Sequence, residues 1–167
     1  DTYAISLSMS DIPSDDLKTY EMIQKADTVG TFQIESRAQM SFLPQHKPKN
    51  FYDLVVQVAI IRPGPIQGGM IHPYLKRRLG LEPVSFPDPR LEPILKRTYG
   101  VPIFQEQVMR IAIAVGDFTA GEANELRKKI GAWGIKDFNR DLNPLLVKLE
   151  KGMQENGIKP EFAEQII

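Results

Sequence analysis

Three consecutive basic residues, Arg127, Lys128 and Lys129, have the side chains in this sequence best suited to binding an anion. They follow a threonine and a glutamate spaced as a capping box, which predicts that they lie on a helix. On that helix Arg127 shares its row with small residues, namely Ala120, Ala123, Asn124 and Gly131. A row of small residues leaves the guanidinium room to meet a large anionic group. The alternative is a solvated face with Glu125 and Lys129 paired at i, i+4, and composition alone favours that alternative.

Three further polar residues stand beside backbone constraints that would hold them in place. Arg62 precedes a Pro-Gly-Pro elbow at a helix end, Arg37 opens a helix, and Gln105 begins a buried one. Arg62 can equally be a cation that stabilises a helix C-terminus, and Gln105 a polar core residue with a partner. Taken singly, these structural explanations are at least as good as a binding role.

The residues needed for a self-contained active site are missing. The chain has no cysteine, which excludes disulfides and thiolate metal sites. His46 and His72 are isolated beside prolines and are expected to be surface or supporting residues rather than metal ligands. The early aspartates gather at a helix start, where acids act as caps. No Walker loop, nucleophile elbow, HExxH or GxGxxG occurs.

Length and charge permit several classes of protein. The 167 residues suit one domain or a part of a larger one, and both ends look cut, so we expect a piece of a longer polypeptide. The 21 basic and 21 acidic residues balance, so total charge gives no sign of nucleic-acid binding. Local clusters at 76–78, 96–97 and 127–129 could still meet phosphates. No apolar run is long enough to span a membrane.

The elements that must position these residues are helices, and two of them form a central hairpin over 101–133. In the first, apolar residues recur at helical spacing: Phe104, Val108, Ile111 and Val115, widened by Met109, Ala112 and Ile113. Gly116 should end it. The second should be capped by Thr119 and Glu122 and should pack through Ala123, Leu126, Ile130 and Trp133.

The remaining pattern is also helical. Ser14 should cap a helix over 15–25, Pro44 should stop one over 35–43, and Asn50 should cap one with Phe51, Leu54, Val55, Val58 and Ile61 inward. Further helices are predicted over 71–79, 91–99, 137–155 and 159–167. The sequence therefore predicts a mainly α fold: an irregular multi-helix domain over 11–167 with short extended pieces, preceded by a linker or short strand over 1–10.

Four segments in fixed order resemble the bacterial C-family DNA polymerases, the family of the DNA polymerase III alpha subunit (DnaE type). They are TVGTFQIESR at 28–37, IRPGPIQG at 61–68, YGVPIFQEQVM at 99–109 and GEANELRKK at 121–129. Residues 32–40 and 66–74 look more like the error-prone, damage-tolerant branch than the replicative one.

The resemblance implies that this chain is the fingers region, which closes over the incoming nucleotide and borders the primer–template, with residues 1–10 arriving from the palm. The substrate-binding residues would be Arg127 and Lys128 at the triphosphate, with Arg62, Arg37 and Gln105 as further candidates. The family usually has two arginines followed by more basic residues; here Lys128 is the second, and Ile130–Trp133 replaces part of that run.

The family's metal-binding aspartates sit in the palm, which precedes this segment. The resemblance thus implies no catalytic or metal residue here, no cofactor bound by this chain, Mg²⁺ in the full-length enzyme, and no activity in the chain alone. Its partners would be primer–template DNA, the incoming dNTP, the palm and thumb of the same polypeptide, and accessory replication or mutagenesis proteins in the cytoplasm, with no membrane involved.

Two other classes remain open. A helical protein-interaction module without nucleotide binding would be compatible with neutral net charge and scattered basic clusters. A single-strand binding domain needs aromatic stacking platforms along a basic groove. Trp133, Tyr74 and Tyr99 are few and well explained by packing, so this class ranks last.

Overall fold

The computed structural model describes residues 8–13, 15–61, 71–132 and 143–166, and within them every regular element is helical. The α-helices are α1 (Leu17–Gln24), α2 (Arg37–His46), α3 (Phe51–Ile60), α4 (Ile71–Arg78), α5 (Glu92–Leu95), α6 (Gln105–Val115), α7 (Ala120–Ala132), α8 (Pro144–Glu155) and α9 (Pro160–Ile166). Short 3-10 turns lie at Met9–Asp11, Pro89–Leu91 and Lys96–Thr98. The prediction of a mainly α fold is confirmed, and no β-strand forms in the described ranges.

The chain divides into two compact units, Asp1–Ile61 and Arg62–Ile167. The first unit has a small core that α1 and α2 share with the loop between them, built from Tyr20, Ile23, Ile34 and Leu43. The predicted linker over 1–10 stays a prediction, since residues 1–7 lie outside the described residues.

The start of α1 and the end of α2 differ from those predicted. Asp16 caps α1, because its carboxylate accepts from the backbone N–H and the hydroxyl of Thr19 at 3.0 and 2.6 Å. The predicted cap, Ser14, lies outside the described residues. Pro44 does not stop α2, which continues to His46 without the hydrogen bond that the N–H of another residue would make there. The helix ends one turn later, at left-handed Lys47.

A series of buried, hydrogen-bonded side chains changes two predictions about this unit, the exposure of His46 and the buried face of α3. His46 is only 1% exposed, and its Nδ1 donates to Gln57 Oε1 at 2.8 Å. Gln57 Nε2 donates to Gln39 Oε1 at 2.7 Å, and Gln39 Nε2 donates to the carbonyl of Ile61 at 2.9 Å. His46 is therefore a core residue rather than a surface one, and its burial is tolerated because His46, Gln57 and Gln39 are hydrogen-bonded to one another.

The buried face of α3 is accordingly only in part the apolar row that periodicity predicted. Asn50 caps the helix as predicted, by accepting from the N–H of Asp53 at 3.0 Å. The residues buried on α3 are Asp53, Val56, Gln57 and Ile60, whereas Phe51 is 68% exposed and Val55 is also exposed. Leu54 and Val58 of the predicted row are partly buried against the core of the unit, so apolar spacing placed part of this face and missed its partnered polar residues.

The second unit holds the larger core, to which α5 to α9 all contribute. Val108, Ile111, Ala112 and Val115 of α6 are buried, which confirms most of the predicted stripe, but Ile113 is 46% exposed. Gly116 ends α6 as predicted. Helix α8 begins later than predicted, because Asn143 has extended backbone and caps it by accepting from Leu145 N–H at 3.1 Å. Phe138 and Leu142, predicted inward, lie outside the described residues.

Helix α8 approaches the end of α6 so closely that Gly152 has no room for a side chain. A Cβ on Gly152 would overlap the carbonyl group of Gly116. We expect Gly152→Ala to lower the free energy of unfolding of the chain by about 1–3 kcal/mol, the usual result of overpacking. Urea denaturation of the purified chain measures this.

A second helical glycine provides the control for that substitution. A Cβ on Gly121 of α7 would meet nothing nearer than Thr119 Oγ1 at 4.0 Å. Gly121→Ala should leave stability unchanged or raise it by up to about 1 kcal/mol through helix propensity. Equal effects of the two substitutions would show that the close approach at Gly152 is absent in solution.

Candidate anion-binding site

Helix α7 begins with the capping box that its sequence predicted. The backbone N–H and the hydroxyl of Thr119 both donate to Glu122 Oε2 at 2.9 Å, and the N–H of Glu122 donates back to Thr119 Oγ1 at 3.3 Å. The other carboxylate oxygen of Glu122 accepts from Lys148 Nζ on α8. Glu122 therefore caps α7 and also ties it to a neighbouring helix.

These contacts stabilise the ionised form of Glu122. The ammonium of Lys148, followed by the N–H and hydroxyl of Thr119, lowers the pKa of this carboxyl to about 2 from the ordinary 4.5. Because the folded-state pKa lies below the ordinary value, the contribution of Glu122 to stability is complete above about pH 4.5. It is lost as the pH falls towards 2.

Glu122→Gln should therefore lower the melting temperature of the chain at neutral pH, and the difference from the unmodified chain should shrink between pH 4.5 and pH 2. Thermal melts followed by circular dichroism across this range measure the difference. Glu125→Gln is the matched control, since Glu125 is exposed on the same helix and has no ion pair with a described residue. A deficit of Glu122→Gln that is constant with pH would contradict the assignment.

The inner face of α7 holds the helix against the core of the second unit. Ala123 and Leu126 are fully buried, and Ile130 packs against the same cluster. Trp133, the fourth residue of the predicted face, lies outside the described residues. A cap at one end and buried residues along one face fix the backbone that carries Arg127.

The guanidinium of Arg127 is held from one side by a neighbour on the same helix. Its Nε and Nη2 both donate to Asn124 Oδ1, at 3.3 and 3.2 Å. Nη1 has no hydrogen-bond partner among the described residues, and the side chain is half-buried. An arginine has five N–H donors, so three remain for a ligand.

The two lysines that follow are less constrained. Lys128 and Lys129 are exposed, and neither has an ion pair or hydrogen bond with a described residue. The predicted pair of Glu125 with Lys129 is absent, so that prediction is wrong. Glu125 and Lys129 are both exposed, and the attraction between two such charges in water barely offsets the side-chain entropy that is lost when they pair.

The other predicted site residues are dispersed. Gln105 is the first residue of α6, half-buried, and makes no hydrogen bond with a described residue. Helices α6 and α7 follow one another through a short connection and both contribute to the core of the second unit, but no hydrogen bond joins Gln105 to Arg127 or Lys128. Arg37 is the exposed first residue of α2 in the first unit, and Arg62 lies outside the described residues.

The polar core residue predicted at Gln105 is instead Gln107, which is 7% exposed. Gln107 Oε1 accepts from the N–H groups of Ile103 and Phe104 at 2.7 and 3.0 Å. Its Nε2 donates to the carbonyl of Ile94 and to Thr98 Oγ1, at 3.1 and 2.8 Å. The burial of Gln107 could have been predicted from its spacing, because it lies four residues before buried Ile111 and so on the same face of α6.

Carboxylates and imidazoles do not gather into a metal site in the described part of the chain, where no group of three or more such residues is placed to hold an ion. No helix there is long and apolar enough to cross a membrane. The candidate site is therefore on α7, where Arg127 is hydrogen-bonded along one edge and Lys128 beside it is exposed. Cations placed in this way are suited to binding phosphate groups.

Comparison with known proteins agrees with the sequence motifs. The family model described as the bacterial DNA polymerase III alpha subunit finger domain matches residues 1–157. The chain belongs to this finger domain family. The resemblance found from the four segments is therefore confirmed.

Relatives of this finger domain are named error-prone DNA polymerases. One from Pseudomonas fluorescens (strain Pf-5) is 59% identical over 159 residues, and one from Methylococcus capsulatus (strain Bath) is 56% identical over 159 residues. An error-prone DNA polymerase 2 from Agrobacterium fabrum is 57% identical over 159 residues. Each match covers 95% of this chain and 14–15% of the relative, so the chain spans about one seventh of the length of these polymerases.

Proposed function

We propose that this finger domain is part of a bacterial error-prone DNA polymerase, where it binds the triphosphate of the incoming dNTP and borders the primer–template. The observation that supports a triphosphate site is the guanidinium of Arg127, held on one edge by Asn124 and with its remaining donors available on a capped, core-packed helix. Lys128 is the second residue that would contact the triphosphate. The names of the relatives support the error-prone branch.

The physical case rests on the charge and geometry of a triphosphate. Phosphate oxygens are best met by donors whose positions are set before the ligand arrives, since no reorganisation is then needed. Arginine offers a planar fork that can bind two oxygens at once, whereas lysine offers a mobile point charge. We therefore assign the main contact to Arg127 and a weaker one to Lys128, with Arg37, Arg62 and Gln105 as further candidates for phosphate or template contact.

The chemical step itself we assign to the rest of the polypeptide. Two-metal nucleotidyl transfer needs carboxylates that hold both ions, and the described residues offer no such group. Mg²⁺ would thus be bound in the palm rather than here, and the chain alone should extend no primer. Its partners would be the palm and thumb, primer–template DNA, the dNTP and accessory replication or mutagenesis proteins, all in the cytoplasm.

Inhibition by inorganic tripolyphosphate tests the triphosphate site in the full-length polymerase. Tripolyphosphate presents the phosphates of a dNTP without its base or sugar, so it should compete with dNTP through Arg127 and Lys128. We expect Arg127→Ala to raise its inhibition constant by about tenfold or more and Lys128→Ala to raise it by less. Lys151→Ala, an exposed cation on α8, is the control. Inhibition that is unchanged in both α7 variants would reject the proposal.

The alternative is a helical protein-interaction module. Val29 and Phe32, in the loop between α1 and α2, are 81% and 84% exposed, and exposed apolar side chains of this size favour a protein contact. This loop lies in the first unit and Arg127 in the second, so the two functions can be separated by substitution. Val29→Ser with Phe32→Ser should leave tripolyphosphate inhibition unchanged if nucleotide binding belongs to α7.

A further inference from the structure

We infer that Asn124 is a positioning residue for nucleotide binding, which it serves by orienting the guanidinium of Arg127; this inference rests on the proposed triphosphate role of Arg127. Asn124 Oδ1 accepts from both Nε and Nη2 of Arg127, at 3.3 and 3.2 Å. Both donors lie along one side of the planar guanidinium. A single acceptor shared by two donors fixes the plane of the group as well as its position.

The contact decides which part of the arginine a ligand meets. With the Nε side occupied, the outer edge formed by Nη1 and the second N–H of Nη2 remains, and this edge can bind two phosphate oxygens in parallel. Nη1 has no hydrogen-bond partner among the described residues. Asn124 therefore occupies one edge of the guanidinium and leaves the Nη1–Nη2 edge of Arg127 for a ligand.

The amide is suited to this task because it is neutral. A carboxylate at the same place would hold the guanidinium more strongly but would also offset the positive charge that attracts a triphosphate. An amide oxygen orients the arginine and leaves its charge intact. The backbone below is rigid, since the capping box and the buried Ala123 and Leu126 hold α7 on both sides of Asn124.

The test is steady-state incorporation of a single dNTP on primed DNA by the full-length polymerase. Asn124→Leu keeps the size of the side chain and removes the acceptor. We expect it to raise KM for the dNTP about three- to tenfold, while kcat and the affinity for primed DNA stay within about twofold of the unmodified enzyme. Asn124→Gln keeps a neutral amide acceptor, so its KM should stay below that of Asn124→Leu.

A double substitution shows whether Asn124 acts through Arg127. Adding Asn124→Leu to Arg127→Ala should raise KM no further, because the group that Asn124 orients is already gone. The inference is overturned if Asn124→Leu has an unchanged KM, if it raises KM equally in both backgrounds, or if the Gln and Leu variants have the same KM. Gln154→Leu is the control, an exposed helical amide on α8 bonded to Glu150 at 3.4 Å.

The outcomes also separate this inference from the proposed function. If Arg127→Ala alone leaves KM and kcat unchanged, the triphosphate site is wrong and the role of Asn124 falls with it. If Arg127→Ala impairs incorporation but Asn124→Leu does not, only the positioning role is wrong. Thermal melts of each variant exclude unfolding as the cause, and Asn124→Ala, which also removes the acceptor, provides the test should the Leu variant fail to fold.

Discussion

Arg127→Ala in the full-length polymerase should lower kcat/KM for nucleotide incorporation about tenfold to a hundredfold. A charge-assisted hydrogen bond contributes roughly 1.5–3 kcal/mol, and this range corresponds to that change in rate. The contact should have this strength because the backbone of Arg127 is fixed by the capping box and by buried Leu126. The loss should appear with the nucleotide as the varied substrate, with affinity for primed DNA unchanged.

Lys129→Ala is the matched control, since it removes one positive charge two residues away on the same helix. Lys129 is exposed and has no partner among the described residues, so nothing presets its ammonium for a phosphate. Its substitution should lower kcat/KM by less than that of Arg127. The measurement is single-nucleotide incorporation by the unmodified polymerase, Arg127→Ala and Lys129→Ala, and thermal melts of the three show whether each is folded. A larger loss in Lys129→Ala, or no loss in Arg127→Ala, would contradict the assignment.

Gln107→Leu should lower the free energy of unfolding of the chain by about 3 kcal/mol or more. The substitution leaves the N–H groups of Ile103 and Phe104 and the carbonyl of Ile94 without their partner in a buried place. Each unsatisfied buried group costs about 1–3 kcal/mol. Urea denaturation of the purified chain measures the loss.

Gln105→Leu makes the same chemical change two residues earlier and separates structure from binding. Gln105 is half-buried and bonds no described residue, so its loss should change stability by less than about 0.5 kcal/mol. If Gln105 contacts the substrate, incorporation by the full-length enzyme should fall in Gln105→Leu without loss of stability. Equal destabilisation by the two substitutions would mean that the four bonds of Gln107 contribute little.

Local signals in the sequence were sufficient for most helices and for the family. The capping box at Thr119 and Glu122, the cap at Asn50 and the end of α6 at Gly116 involve residues within four positions of one another. Such contacts depend little on the rest of the fold, so they can be predicted from spacing alone. The four motif segments likewise identified the finger domain family that the comparison confirmed.

Contacts between distant residues decided the remainder. His46 and Gln57 are buried because their side chains meet across two helices, and Gln107 is buried because Ile94 and Thr98 lie beside it. No local pattern reports such partners, so the burial of these polar residues was missed and the inner face of α3 was predicted only in part. The sequence by itself determined the helices and the place of Arg127 on one of them. Only the tertiary structure decided that Glu122 is paired with Lys148 on another helix and that Gln107, rather than Gln105, is the polar residue of the core.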